Sequence, residues 1–153
     1  MATPALDPPA LLLDTNMLWN QGLTPRLTEL VVAGRLRVYI PTLVHAERIR
    51  QIAQQYGERY AVETVRQFVL DARFDLLPFT IEQAEGIADV WRSIRGGGAN
   101  DAYWRQHRFD IFLCAVAHVT GYTLASDDTD AHFDLLNRRI RTNEIESWIL
   151  NLP

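Results

Sequence analysis

Leu11-Leu12-Leu13-Asp14-Thr15-Asn16 is the stretch that decides the fold class of this chain. Three consecutive leucines are typical of a strand buried on both faces, as in a parallel sheet covered by helices. Asp14 follows directly, so it lies where that strand ends. Ligands of open α/β sheets bind beyond the carboxyl ends of the strands. Asp14 is therefore either a helix cap or, if other carboxylates reach the same edge, part of a metal site.

Strand and helix patterns alternate along the rest of the chain. The patterns predict further strands at 36–40, 74–79, 122–126 and 138–142. They predict helices from Pro25 to the stop at Gly34, after Thr42, and at 58–72, 81–94, 109–120, 130–136 and 144–150. Such alternation predicts an α/β fold, a three-layer α/β/α sandwich with a mainly parallel central sheet.

Length and composition narrow the class of protein. The 153 residues are enough for one domain, which we place at residues 10–153 after a flexible, proline-rich tail at 1–9. The formal net charge of −4 gives no general attraction for nucleic acid. All 15 basic residues are arginines, which excludes P-loop kinases and Schiff-base enzymes because both need a lysine. The single cysteine, Cys114, excludes an internal disulfide and a cysteine zinc site.

The sequence predicts no membrane segment. No stretch is long and apolar enough to span a bilayer, and the N-terminus lacks the basic-then-apolar pattern of a signal peptide. A cytoplasmic location is the resulting expectation.

Acidic residues stand out at four places, and each has a purely structural explanation. Asp14 follows a strand and could cap a helix. Glu47 lies on the apolar side of its helix, where it needs a partner such as Arg48 or Arg50. Asp110 falls in the first predicted helical turn, where the helix dipole favours it. The acids that follow the strand at 122–126 form an Asp-rich turn; they are Asp127, Asp128 and Asp130.

One hypothesis explains all four places together. A helix that precedes a strand in a right-handed crossover starts at the carboxyl edge of the sheet, where the parallel strands also end, so all four places are expected at one rim. Several carboxylates close together repel one another, and a bound divalent cation removes that penalty. Oxygen ligands without histidine or cysteine favour Mg²⁺ or Mn²⁺, as one or two ions. Such a site can orient a phosphodiester and activate water.

Four ordered motifs carry a resemblance to a known family. They are residues 12–16 (LLDTN), 41–47 (PTLVHAE), 109–117 (FDIFLCAVA) and 121–128 (GYTLASDD), with Phe133 downstream. In this order the chain from about Ala10 to Leu136 resembles the PIN-domain family, most closely the VapC-type toxins of prokaryotic toxin–antitoxin pairs.

The resemblance implies a PIN-like fold and an Mg²⁺- or Mn²⁺-dependent endoribonuclease that cleaves RNA phosphodiesters by metal-activated water. It also implies a homodimer and a small VapB-like antitoxin. The acids Asp14, Glu47 and Asp110 carry over as catalytic metal ligands, and the spacing from Ser126 selects Asp128 as the fourth. Asp127 and Asp130 compete for that place. The expected supporting residues are Thr15, Asn16, Ser126 and Asp130.

RNA contacts are harder to place. Arg105 and Arg108, with His107 between them, precede Asp110 and could contact phosphates. A second basic cluster is formed by Arg138, Arg139 and Arg141. Solvated surface or antitoxin contact is an equal alternative for both clusters. The competing functions are a PIN-type nuclease of RNA maturation, a structure-specific DNA nuclease of the same superfamily and a catalytically silent PIN binding module.

Overall fold

The computed structural model describes residues 7–128 and 139–152 of the chain. Within these ranges the strands are β1 (Ala10–Leu13), β2 (Arg37–Pro41), β3 (Asp75–Leu77), β4 (Thr123–Ala125) and β5 (Arg139–Ile140). The helices are α1 (Leu23–Val32), α2 (Thr42–Tyr56), α3 (Glu58–Ala72), α4 (Ile81–Gly96), α5 (Asp101–Thr120) and α6 (Thr142–Leu150). A 3-10 turn at Thr15–Met17 follows β1.

The five described strands form one parallel sheet in the order β3-β2-β1-β4-β5. β1 is central, and its Leu12 pairs with Tyr39 of β2 on one side and Leu124 of β4 on the other. Leu11, Leu12 and Leu13 are completely buried, as three leucines in a central strand require. The predicted α/β class with a parallel central sheet is confirmed.

The path of the chain across the sheet changes direction once. It moves outward from β1 through β2 to β3, then crosses to the other side of β1 for β4 and β5. Right-handed crossovers place α1 to α3 on one face of the sheet and α4 and α5 on the other. The change of direction lies between β1 and β4, and crevices at such points are where α/β sheets bind ligands.

Two predicted helix starts have different outcomes. The predicted start of α4 at residue 81 is confirmed: Thr80 caps the helix, because its hydroxyl accepts from the backbone nitrogen of Gln83 at 3.2 Å. The predicted start of α1 at Pro25 is wrong. The helix begins at Leu23, because the side-chain oxygen of Asn20 accepts from the Leu23 backbone nitrogen at 3.1 Å.

α5 is the largest departure from the predicted helices. It was expected from Phe109, but it runs without a break from Asp101 to Thr120. Asn100 starts it, because its side-chain oxygen accepts from the backbone nitrogens of Ala102 and Tyr103 at 3.1 Å. The prediction that Asp110 lies in a first helical turn is therefore wrong: Asp110 is the tenth of 20 residues.

Arg73 ends α3 in a left-handed conformation, with φ of 58°, and it is exposed. A glycine adopts this conformation without the steric cost that a Cβ carries. Arg73→Gly should therefore raise the free energy of unfolding by about 0.5–1 kcal/mol, measured by urea denaturation. Arg66→Gly in the interior of the same helix is the matched control and should lower it by about 1 kcal/mol. A lower stability for both variants would contradict this prediction.

Some predictions fall outside the described residues. They are the helix at 130–136 and most of the flexible tail, since residues 1–6, 129–138 and 153 are not described. The division into a tail at 1–9 and a domain at 10–153 stays a prediction. None of the helices in the described ranges has the length and apolar character needed to cross a bilayer.

Candidate functional site

Asp14 lies at the reversal between β1 and β4. Its backbone nitrogen donates to the carbonyl of Ala125 at 3.0 Å, which continues the β1–β4 pairing by one residue. One carboxylate oxygen accepts from the Thr15 backbone nitrogen at 2.6 Å, and the other accepts from the Ser126 hydroxyl at 2.6 Å. The side chain is held from both sides with a relative exposure of 5%. Asp14 thus caps the 3-10 turn and also orients its carboxylate at the sheet edge.

The electrostatic surroundings of Asp14 are unfavourable for its charge. Burial raises its pKa most strongly, and the negative charges of Asp128 and Glu47 raise it further. The hydrogen bonds from Ser126 and Thr15 act in the opposite direction without cancelling the effect. In the described ranges Asp14 forms no ion pair. A buried acid with two acidic neighbours is an arrangement that a cation would relieve.

Glu47 lies on the second turn of α2, with 26% of its side chain exposed. Arg50 is its ion-pair partner, at 3.6 Å between Nη2 and Oε1, so the structural explanation is present. Arg50 is 60% exposed, and ion pairs in such solvated positions hold side chains weakly. Glu47 nevertheless lies close enough to Asp14 for its charge to raise the Asp14 pKa. The ion pair with Arg50 and a place beside Asp14 are therefore compatible explanations for the position of Glu47.

Asp110 reaches the same region from α5. Its Oδ2 lies 3.9 Å from Nδ1 of His107, one turn earlier, and 26% of its side chain is exposed. Cys114 follows one turn later, and its thiol pKa is raised by burial and then by the charges of Asp110, Asp14 and Asp128. The charges of all three acids therefore reach one buried thiol.

The turn after β4 separates the roles of two neighbouring acids. Asp127 accepts from the backbone nitrogen of Thr142 at 2.8 Å and from its hydroxyl at 2.5 Å, so it holds the start of α6. The backbone nitrogen of Asp128 instead donates to the Ser126 hydroxyl at 3.2 Å, which places Asp128 beside the partner of Asp14. This arrangement favours Asp128 over Asp127 as the fourth acid. Asp130 lies outside the described residues.

The remaining predicted residues lie around this group. The Thr15 hydroxyl is buried without a hydrogen-bond partner in the described chain, whereas Asn16 is exposed.

Arg105 and Arg108 lie on the exposed side of the first half of α5, where Arg108 donates to the Arg105 carbonyl at 3.3 Å. Arg105 lines a separate groove with Trp91 and Arg95. RNA contacts of Arg105 and Arg108 stay a prediction.

The acids supply oxygen donors of the type that Mg²⁺ prefers. Across residues 7–128 and 139–152, no three acidic, histidine or cysteine side chains are arranged to hold an ion as they stand. Asp14 is fixed by its two hydrogen bonds. Glu47 and Asp110 are partly exposed; Glu47 lies 3.6 Å from Arg50, and Asp110 lies 3.9 Å from His107.

Sequence reasoning missed two neighbours of the site. Arg139 was grouped with a surface basic cluster, but its Nη1 donates to the carbonyl of Asp128 at 2.5 Å. Its charge also lowers the pKa of Cys114, which opposes the acids there. Cys114 is a fully buried core residue. Its spacing of four from Asp110 was the signal that it also lies beneath the site.

Comparisons with known proteins agree on the fold. No protein-family model matches the chain, and no curated protein matches it by sequence. Solved structures do match, among them VapBC2 from Rickettsia felis bound to a promoter DNA fragment. That match has a TM-score of 0.64 and 15% identity and covers 86% of this chain and 96% of the other.

Two further matches are structures of Fit complexes. FitAcB from Neisseria gonorrhoeae has a TM-score of 0.59 and 24% identity, over 80% of this chain and 91% of that one. FitAB bound to an IR36 DNA fragment has a TM-score of 0.59 and 25% identity, over 86% and 94%. The chain has the three-layer α/β fold found in these structures, and the predicted PIN-like fold class is confirmed.

Proposed function

We propose that this protein is a metal-dependent endoribonuclease that acts as the toxin of a toxin–antitoxin pair. One observation carries the proposal: the buried Asp14 is oriented by Ser126 at the strand reversal, where the charges of Glu47 and Asp128 raise its pKa. The charge of Asp110 acts together with those of Asp14 and Asp128 on the Cys114 thiol. This arrangement supports a cation site better than a helix cap. A cap explains the bond to Thr15, but it does not explain like charges gathered around a buried carboxylate.

The residues that would hold the ion are Asp14, Glu47, Asp110 and Asp128. When bound, Mg²⁺ or Mn²⁺ activates water and neutralises charge on the phosphodiester. Ser126 keeps the Asp14 carboxylate in place through its 2.6 Å hydrogen bond. The only thiol in the group belongs to Cys114, and its raised pKa keeps it protonated and unreactive. Water is therefore the nucleophile that this set of side chains supports.

The proposed partners follow from the matched complexes. VapBC and FitAB structures pair two proteins, which supports a VapB-like antitoxin for this chain and favours a toxin over a nuclease of RNA maturation. A homodimer and a single-stranded RNA substrate belong to the same proposal. The competing function is a PIN module that binds its partner without catalysis.

Cleavage of RNA by the purified protein tests the proposed activity. With Mn²⁺ it should cleave a single-stranded RNA, and excess EDTA should stop the reaction. Asp110→Asn should reduce the rate on the order of 100-fold or more, because it removes a charged group at the reacting centre. Asp101→Asn is the matched control: it makes the same change on the exposed first turn of α5 and should cleave like the wild type.

Three outcomes would count against the proposal. Equal rates for both variants would remove Asp110 from the site. No cleavage, together with no heat of Mn²⁺ binding by calorimetry, would favour the silent module. Cleavage that co-expression with the protein of an adjacent small reading frame does not suppress would favour a nuclease of RNA maturation.

A further inference from the structure

A groove of about 600 Å³ lies between α2 and α3. Its walls combine two exposed tyrosines, an arginine, a tryptophan and amide side chains, among them Trp19, Arg48, Gln51, Gln55, Tyr56 and Tyr60. The groove is tied to the site by the chain itself. Arg48 directly follows Glu47, and Trp19 comes five residues after Asp14.

The aromatic rings of the groove are unusually open for their size. Tyr56 and Tyr60 have relative exposures of 66% and 55%, and their ring centroids lie 5.5 Å apart. Trp19 is fixed from behind by Phe68, with centroids 4.4 Å apart. Two exposed tyrosine rings and a fixed tryptophan line the same groove. Exposed aromatic rings of this kind can stack on unpaired bases.

Arg48 provides the positive charge of the groove. Its guanidinium carbon lies 4.8 Å from the centroid of the Trp19 ring, and its Nη1 donates to Gln51 at 2.8 Å. It forms no ion pair with any residue in the described ranges, and its Nε has no hydrogen-bond partner there. A preformed guanidinium without a carboxylate partner suits a phosphate or the plane of a base.

We propose that this groove binds the RNA strand next to the cleaved bond, by stacking one or two unpaired bases on Tyr56 and Tyr60 beside Arg48. The inference rests on the proposed nuclease function and adds a substrate site to it. Arg48 to Tyr56 spans about 12 Å of helix, at 1.5 Å per residue, which is room for about two nucleotides.

The lining favours RNA over a protein helix as the occupant. A docked amphipathic helix needs an apolar groove, whereas α2 presents Gln51, Gln54 and Gln55 here. Amide side chains hydrogen-bond to base edges and tolerate several bases. Arg48 offers a complementary charge to phosphate in a chain whose formal net charge is −4.

Binding of a fluorescent, single-stranded 12-nucleotide RNA in EDTA tests the groove without cleavage. Tyr56→Ala with Tyr60→Ala should weaken binding about 10- to 100-fold, which corresponds to the loss of stacking on one or two bases. Tyr56→Phe with Tyr60→Phe keeps the rings and should bind within about 2-fold of the wild type. Leu70→Ala on α3 removes a comparably exposed apolar side chain outside the groove and should change nothing. A duplex RNA probe should show little difference among the variants, since its bases are already stacked.

The outcomes separate this inference from the nuclease proposal. If the double alanine variant binds the single strand and cleaves it like the wild type, the groove inference is wrong and the nuclease stands. If the wild type neither binds nor cleaves RNA, both fail. If RNA affinity is unchanged but binding of the partner protein is weakened, the groove is a protein contact and the RNA assignment is overturned. Equal losses in the phenylalanine and alanine variants would also contradict stacking.

Discussion

Asp14→Asn should abolish RNA cleavage, with a loss on the order of 1000-fold under Mn²⁺, the effect expected when a charged group at the reacting centre is removed. The substitution changes charge with almost no change of shape. The Ser126 hydroxyl can still bond to an amide at this position, so the sheet edge between β1 and β4 should stay folded. What is lost is a buried carboxylate whose pKa is raised by the charges of Asp128 and Glu47.

Ser126→Ala is the graded comparison for this experiment. It leaves the Asp14 charge in place but removes the 2.6 Å hydrogen bond that orients it. Removing such an orienting partner reduces metal affinity or activity by about 10- to 100-fold. Rates should therefore fall in the order wild type, Ser126→Ala, Asp14→Asn, measured with one RNA at saturating Mn²⁺. An Asp14→Asn variant that cleaves at the wild-type rate would show that the site lies elsewhere.

Asp14→Asn should lower activity, but it should raise the stability of the folded protein when divalent ions are absent. Burial and the charges of Asp128 and Glu47 raise the pKa of Asp14 in the folded state. The folded state therefore holds this proton more tightly than the unfolded chain does. The resulting stabilisation is fully present below the unfolded pKa, near 3.8, and is lost as the pH rises through the folded pKa. At a pH above the folded pKa the wild type carries the buried charge, and Asp14→Asn does not.

Thermal unfolding in EDTA between pH 4.5 and 8 measures this effect. Asp14→Asn should unfold at a higher temperature at pH 7, by about 2–4 °C for each kcal/mol gained in a chain of this size. The difference should shrink as the pH falls. Mn²⁺ should raise the unfolding temperature of the wild type and not that of the variant.

Asp127→Asn is the matched control for charge, since it makes the same change from acid to amide in the turn after β4, next to Asp128. Asparagine and aspartate cap helices about equally well, so its bond to Thr142 and its stability should be nearly unchanged. A wild-type protein that is more stable than Asp14→Asn at pH 7 without metal would contradict the prediction that the buried charge of Asp14 destabilises the fold.

Helices and strands could be predicted from the sequence where a short run of residues is enough to specify them. Three buried leucines in a row have few alternatives to a central strand, and Thr80 with Gln83 is a capping pair with a fixed spacing. The start of α5 was missed for a physical reason. Its first turns are polar and aromatic without a clear apolar stripe, so periodicity does not reveal them, and only the Asn100 cap marks the true beginning.

The site could be predicted in outline because parallel strands bring their carboxyl ends to one edge. Its details depend on contacts between residues far apart in the chain. Asp14 and Ser126 are 112 positions apart, and no local pattern specifies the hydrogen bond between them. Asp127 and Asp128 are equivalent in sequence, and they differ only because Thr142, at the start of α6, engages Asp127. The groove likewise combines residues from a turn and two helices.

Because α5 is one unbroken helix, the packing of its buried second half determines where Asp110 points. Each residue turns the helix by 100°, so the direction of the Asp110 carboxylate is set by the buried residues that follow it, from Ile111 to Ala117. A slip of one residue in that packing would turn the Asp110 carboxylate by about 100° from its present direction even though the helix stayed intact. The packing of the hydrophobic core therefore fixes the rotation of α5 about its axis, and with it the direction of the Asp110 carboxylate.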